Sequence, residues 1–196
     1  MAQSKKSYTL LIIAGVLLVG SVIAFVLFRY IRKKKEENEL LTKEINPDEI
    51  DAEPGSNEEK YVEAFKVIYD TLQKINAPEP ETLARFYTAQ AAFETEIFKS
   101  PLFLQANNAF GMKQPRTRPT TSLGPTSTGW ASYESFEKSV EDRYLWDQYN
   151  KLTYTNDIKE FIQTIKSKSY FEEPFQQYYN GVRSHYAKLN QILNQG

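Results

Sequence analysis

The sequence predicts a mainly α-helical domain that carries a small irregular β-hairpin lobe and is preceded by one transmembrane helix. Three observations carry that expectation. Apolar residues recur at helical spacing in stretch after stretch beyond Ser56; the stretch without such spacing, 114–132, is rich in Pro, Thr, Ser and Gly; and 8–31 is apolar with no charge before Arg29.

The N-terminal run YTLLIIAGVLLVGSVIAFVLFRYI is long enough to cross a hydrocarbon core of ~30 Å as a helix. Gly15, Gly20 and the β-branched residues would weaken a soluble helix but are ordinary in lipid. A cleavable signal peptide is the competing reading. The run exceeds the ~7–15 apolar residues of such a core, and no A-x-A site precedes the RKKKEE flank, so an uncleaved anchor in the lipid bilayer is favoured. Lys5 and Lys6 flank one end, and Arg29, Arg32, Lys33, Lys34 and Lys35 the other, a distribution that by the positive-inside rule keeps the C-terminal domain in the cytoplasm.

Residues 1–45 therefore read as the anchor helix and a polar extension, in which Leu40, Leu41 and Ile45 keep compatible spacing. The acidic, Pro- and Gly-containing 46–57 read as a flexible linker, and 58–196 as the globular domain. Ser56, with Glu59 three residues on, forms a capping-box signature for a helix over 57–75 that buries Tyr61, Ala64, Phe65, Ile68 and Leu72. Pro78 and Pro80 punctuate before a second helix over 81–95, and helical spacing returns in 135–149, 157–166 and 182–193.

Composition removes several chemistries. With no Cys there is no thiol nucleophile, and with His185 as the only His there is no zinc-ligand set, so no metal or other cofactor is expected. His185 reads as a surface or half-buried helix residue. A formal net charge of −1 argues against a nucleic-acid binder.

The informative segment is TAQAAFETEIFKSPLFLQANNAFGMK, 88–113. It sets Glu94 at the end of a helix rich in small residues and follows it with an Asn-Asn-x-Phe-Gly-x-Lys turn. Ala89, Gln90, Ala91, Glu94 and Thr95, then Ser100 and Leu102, then Ala106, Asn107, Asn108, Phe110, Gly111 and Lys113 carry the pattern A-Q-A-x-x-E-T/S, S-x-L, A-N-N-x-F-G-x-K. In this the segment resembles the bacterial glucosaminidase domains of lysozyme-like α+β fold that cut peptidoglycan in flagellar and autolytic cell-wall hydrolases. A weaker likeness continues through Trp130, Tyr133, Ser135, Ser139 and Asp142, and through a Tyr-rich turn at Tyr179 leading to Tyr186, Ala187, Lys188 and Leu189.

The resemblance implies a hydrolase of peptidoglycan glycan strands that cuts the β-1,4 bond between N-acetylglucosamine and N-acetylmuramic acid, with Glu94 as general acid. Such an acid must be partly dehydrated so that its pKa rises toward working pH, and Phe93, Phe98 and Phe110 are near enough in sequence to supply an apolar wall. Gln90, Asn107, Asn108, Phe110, Lys113 and Trp130 are the expected substrate-binding residues, the asparagines chiefly as turn formers that shape the cleft floor. Lys99, Lys113, Arg116 and Arg118 would give the lip a positive sign suited to the carboxylates of peptidoglycan. Because that substrate lies outside the cytoplasm, the resemblance places the domain on the extracytoplasmic side, against the flanking charges. Protein partners are unassigned.

One departure bears on mechanism. Many relatives carry a second Glu in the hairpin, but from Ile97 to Tyr133 this chain has no Asp or Glu. Three accounts stand: a more distant acid, Glu134 being the nearest in sequence; attack by the substrate's own acetamido group, oriented by Tyr133 or Tyr179; or a domain that binds glycan without cutting it. Muramidase cleavage on the same scaffold, a non-enzymatic cell-wall-binding or scaffold module, and a phage lysis or virion protein carrying this domain remain the rival functions.

Overall fold

A computed structural model describes residues 55–195; the expected anchor over 8–31, its polar extension and the linker up to residue 54 lie outside them. Among the described residues no helix is long and apolar enough to cross a membrane. The described part is mainly helical with one two-stranded antiparallel sheet.

Helix α1 spans Asn57–Lys74. The Ser56 hydroxyl accepts from Glu59 N at 3.0 Å, while the Glu59 carboxylate takes the Gly55 N–H, so the expected box closes one residue earlier than Ser56. Tyr61, Ala64, Phe65, Ile68 and Leu72 are buried as their spacing requires.

Helix α2, Pro80–Glu94, opens with Pro at its first turn, where the missing N–H costs nothing. Every residue from Leu83 to Ala92 is buried, which makes α2 the central helix rather than one with a single apolar face. Ala84, Ala89, Ala91 and Ala92 permit this, because small side chains let α1 on one side and the C-terminal helix on the other approach closely.

A short helix α3, Pro101–Ala106, is capped by the Ser100 hydroxyl on Phe103 N and ends at Asn107 in the left-handed conformation. The hairpin lobe follows. Its strands β1, Gly124–Pro125, and β2, Ala131–Ser132, pair with Gly124 opposite Ser132 and Pro125 opposite Ala131, and a bridge from Lys113 to Trp130 joins the preceding turn to it. Helices α4, Phe136–Tyr149, and α5, Ile158–Ser167, come next, with Ser135 and Asp157 as side-chain N-caps. A buried fork ties the lobe down: Arg118 Nη1 and Nη2 donate to Asp142 Oδ1 and Oδ2 at 2.9 and 2.7 Å, and Thr121 N and the Tyr133 hydroxyl complete the carboxylate's shell. Arg118 lines the cleft near Glu94, but its guanidinium is held by Asp142 and is not a free cation there.

Helix α6 spans Phe175–Leu193, starting well before the expected Val182. The Tyr-rich segment with Tyr179 is helical, not a turn. Gly181 explains the difference, for a Cβ there would lie 2.2 Å from Phe93 Cε2. The glycine that weakens the helical signal in sequence is what admits the Phe93 ring between α2 and α6.

Candidate active site

Glu94 is the last residue of α2, and the chain turns sharply after it. Glu96, Ile97 and Phe98 all have positive φ, 52°, 60° and 59°, three consecutive non-glycine residues in a region that costs on the order of 1 kcal/mol each. Backbone and side-chain bonds hold this left-handed turn: Ile97 N donates to Ala92 O at 2.8 Å, and Thr95 Oγ1 donates to Ala91 O and accepts from Phe98 N. The turn sends Phe98 away from Glu94 to pack with Tyr61, Phe103 and Phe136. Phe98 is therefore no part of the wall around the carboxyl.

Glu94 lies at the wall of a cleft of about 590 Å³, shared with the Phe110–Pro115 turn, Trp130, Trp146 and the α5–α6 connection from Ser169 to Glu173. The Asn-Asn turn is built by amide bonds to backbone. Asn108 donates to Met112 O and Ala131 O, both at 2.8 Å, and accepts from Met112 N; Asn107 donates to the carbonyls of Tyr133 and Glu134. The product of this scaffolding is the position of Gly111, at φ 56°. A Cβ at Gly111 would sit 3.0 Å from Glu94 Oε2, so the backbone lies against the acid where a side chain would displace it.

The other carboxyl oxygen is held from α6. Tyr178 Oη donates to Glu94 Oε1 at 2.7 Å and accepts from Gln90 Nε2 at 2.8 Å, and Gln90 Oε1 in turn accepts from Arg143 Nε at 3.1 Å. Arg143 is fully buried; it pairs with Asp147 and lies over the rings of Tyr87, Trp146 and Tyr170 at 4.8, 5.0 and 4.6 Å. A chain of hydrogen bonds thus runs from a buried cation through Gln90 and Tyr178 to Glu94. Burial raises the Glu94 pKa to about 7, against the Tyr178 hydrogen bond and the Arg143 charge, which lower it, and with Glu173, whose charge raises it. A carboxylic acid still protonated near neutrality is thus placed in a cleft.

Of the residues singled out in the sequence, Glu94, Phe110, Gly111, Lys113, Arg118 and Trp130 line this cleft. Lys113 is exposed, 5.7 Å from the Trp130 ring centroid and 3.7 Å from the Glu172 carboxylate. Gln90, Asn107 and Asn108 lie beneath it, engaged in the bonds just described. Three residues stand elsewhere. The Tyr133 hydroxyl is buried on Asp142, Tyr179 stacks on Phe175 at 5.6 Å, and exposed Glu134 offers only its carbonyl, to Asn107. None of the three lines the cleft.

Sequence reading missed the role of Tyr178 in holding Glu94, and missed Tyr170, Arg143 and the acids of the α5–α6 connection. Reading α6 back to Phe175 would have selected Tyr178, because it shares a helix face with Val182, Leu189 and Ile192, whereas Tyr179 does not. Tyr170 donates to Phe110 O at 2.7 Å and so fixes the turn against the α5–α6 connection.

The family model described as mannosyl-glycoprotein endo-beta-N-acetylglucosaminidase (Glucosaminidase) matches residues 55–191. Among solved structures, the chain is similar to one from a type VI secretion system effector-immunity complex of Pseudomonas protegens. That match has 18% identity and a TM-score of 0.51 and covers 68% of this chain and 96% of the other. It is also similar to the catalytic domain of the autolysin Auto from Listeria monocytogenes, at 16% identity and a TM-score of 0.48, over 81% of this chain and 96% of the other. No curated protein matches the chain. The chain belongs to the glucosaminidase family.

Proposed function

We propose that this glucosaminidase-family protein is a peptidoglycan hydrolase that cleaves the β-1,4 bond between N-acetylglucosamine and N-acetylmuramic acid, with Glu94 as the general acid. The observation that carries the reading is the environment of Glu94: a half-buried carboxyl, raised by burial to a pKa of about 7, at the wall of an open cleft. Tyr178 donates to Oε1, which leaves Oε2 to carry the proton. A glycan strand lying along the cleft would place the bridging oxygen against Oε2. Proton transfer to that oxygen lets the bond break without expelling an alkoxide. Trp130 and Trp146 offer ring surface for sugar faces, and Lys113 meets carboxylates at the mouth.

The anchor read over 8–31 makes the proposal one of a membrane-tethered enzyme with its cleft on the side where peptidoglycan lies. Protease added to intact spheroplasts is expected to remove the domain; protection of the domain would overturn this placement. For the reaction, the full chain is incubated with purified sacculi and the new reducing ends are identified. Reducing N-acetylglucosamine is the expected product. Reducing N-acetylmuramic acid would make the protein a muramidase, and no release at all would leave the cleft a binding groove.

A further inference from the structure

If Glu94 gives a proton to the leaving oxygen, something must take one from the attacking water, and the hairpin has no carboxylate for that role. The candidates drawn from sequence are turned away: Glu134 is exposed outside the cleft, and Tyr133 is occupied by Asp142. The cleft nevertheless has acids among its lining. Glu172 and Glu173 line it from the connection between α5 and α6, an element distinct from the hairpin.

This connection is held in place. Lys166 Nζ donates to the carbonyls of Phe171, Glu172 and Glu173 at 3.1, 3.2 and 2.9 Å, gathering three successive peptide groups onto one cation. Phe171 is buried and stacks on Tyr178 with ring centroids 3.7 Å apart and an interplanar angle of 8°. Tyr178 is the residue whose hydroxyl holds Glu94. One ring therefore holds both the acid and the segment that carries Glu172 and Glu173. The two acids, both exposed, are not equivalent: Glu172 is drawn 3.7 Å from Lys113 at the mouth, whereas Glu173 forms no ion pair among the described residues and its charge raises the Glu94 pKa.

We propose that Glu173, carried on the Lys166-pinned connection between α5 and α6, is the catalytic base that activates water opposite Glu94. The assignment rests on the hydrolase reading. The Glu173 carboxylate takes a proton from water as its oxygen bonds to the anomeric carbon; the glycosidic bond breaks, its electron pair passes to the leaving oxygen, and that oxygen takes the Glu94 proton. One water is consumed, Glu94 is left ionised and Glu173 protonated, and exchange with solvent restores both. Direct attack by water from the face opposite the leaving group inverts the anomeric centre, so the first-formed reducing end is the α anomer.

The test uses the full-length wild-type chain and its Glu173→Gln, Glu173→Asp and Glu134→Gln variants. Reducing-end release from sacculi is measured, together with co-sedimentation with sacculi, and the product anomer is followed by proton NMR on soluble peptide-free glycan strands. Glu173→Gln is expected to lower the rate about 100-fold or more while co-sedimentation is kept, with partial recovery in Glu173→Asp and an α product from the wild type. Wild-type activity retained in Glu173→Gln, a loss in Glu134→Gln instead, or a β product would overturn the assignment and leave the hydrolase reading standing. No release by the wild type would overturn both.

Discussion

Replacing Glu94 by Gln separates what the carboxyl does for function from what it costs the fold. The folded protein binds the Glu94 proton at a pKa of about 7, against an ordinary 4.5, so the folded state holds that proton where the unfolded chain has released it. Stability contributed by the protonated form is complete below about pH 4.5, declines as pH rises, and is gone once pH passes 7. At about 1.4 kcal/mol per pH unit, the gap between 4.5 and about 7 corresponds to about 3 kcal/mol of penalty on the ionised form at pH 8. Glutamine is nearly isosteric, stays neutral, and can still accept from Tyr178 through its Oε1. The expected outcome is that Glu94→Gln matches the wild type in thermal stability at pH 4 and exceeds it at pH 8, by on the order of 10 °C in Tm for a domain of this size. Melting curves of the two proteins across pH 4–8 measure it. A Tm difference that does not change with pH, or a variant less stable at pH 8, would refute the reasoning.

Further outcomes follow from the same geometry. Gly111→Ala adds a Cβ against Glu94 Oε2 at a φ of 56°, and is expected to cost about 1–2 kcal/mol in stability and about 10-fold or more in kcat, read by melting and by reducing-end release. Tyr178→Phe removes a hydrogen bond that holds the Glu94 pKa down, so the high-pH limb of the rate profile is expected to move upward; a limb that stays put or moves down would contradict the network. In Asp142, burial works to raise the pKa but the Arg118 fork and hydroxyl partners outweigh it and hold it below the ordinary range, so its contribution is present at neutral pH and lost as pH falls through the folded-state value. Asp142→Asn leaves Arg118 facing a neutral amide and is expected to destabilise by about 3–5 kcal/mol in denaturant titrations at pH 7.

The helices over 57–74, 136–149 and 158–167 were legible because Ser56, Ser135 and Asp157 all accept from backbone where a cap should, and the helix over 80–94 because Pro80 marks its first turn. Helix α6 was legible only from Val182 onward. Gly181 and the polar residues around it weaken the local signal, and the compensation, the Phe93 ring filling the missing Cβ, is a tertiary contact that no window of sequence contains. The misplaced start hid Tyr178 and favoured its neighbour Tyr179. Within the site, the Asn-Asn turn was readable as backbone scaffolding because Asn amides do that locally. The fork from Arg118 to Asp142 was not, since it joins residues far apart in the chain, and a free cation was expected at Arg118 where a buried pair exists. The second acid was sought near the hairpin. Glu172 and Glu173 reach the cleft through the path of the α5–α6 connection, which the Lys166 contacts fix in space.

The central claim, that Glu94 supplies the proton for glycan cleavage, is tested most directly by how its loss depends on the leaving group. Rates of wild type and Glu94→Gln are compared on sacculi, whose sugar leaving group needs a proton, and on a 4-nitrophenyl β-glycoside of an N-acetylglucosamine oligosaccharide, whose leaving group does not. The expected result is a loss of about 100-fold or more on sacculi and a loss of less than about 10-fold on the aryl glycoside. Equal losses on the two substrates, or equal activity of the two proteins on sacculi, would contradict it.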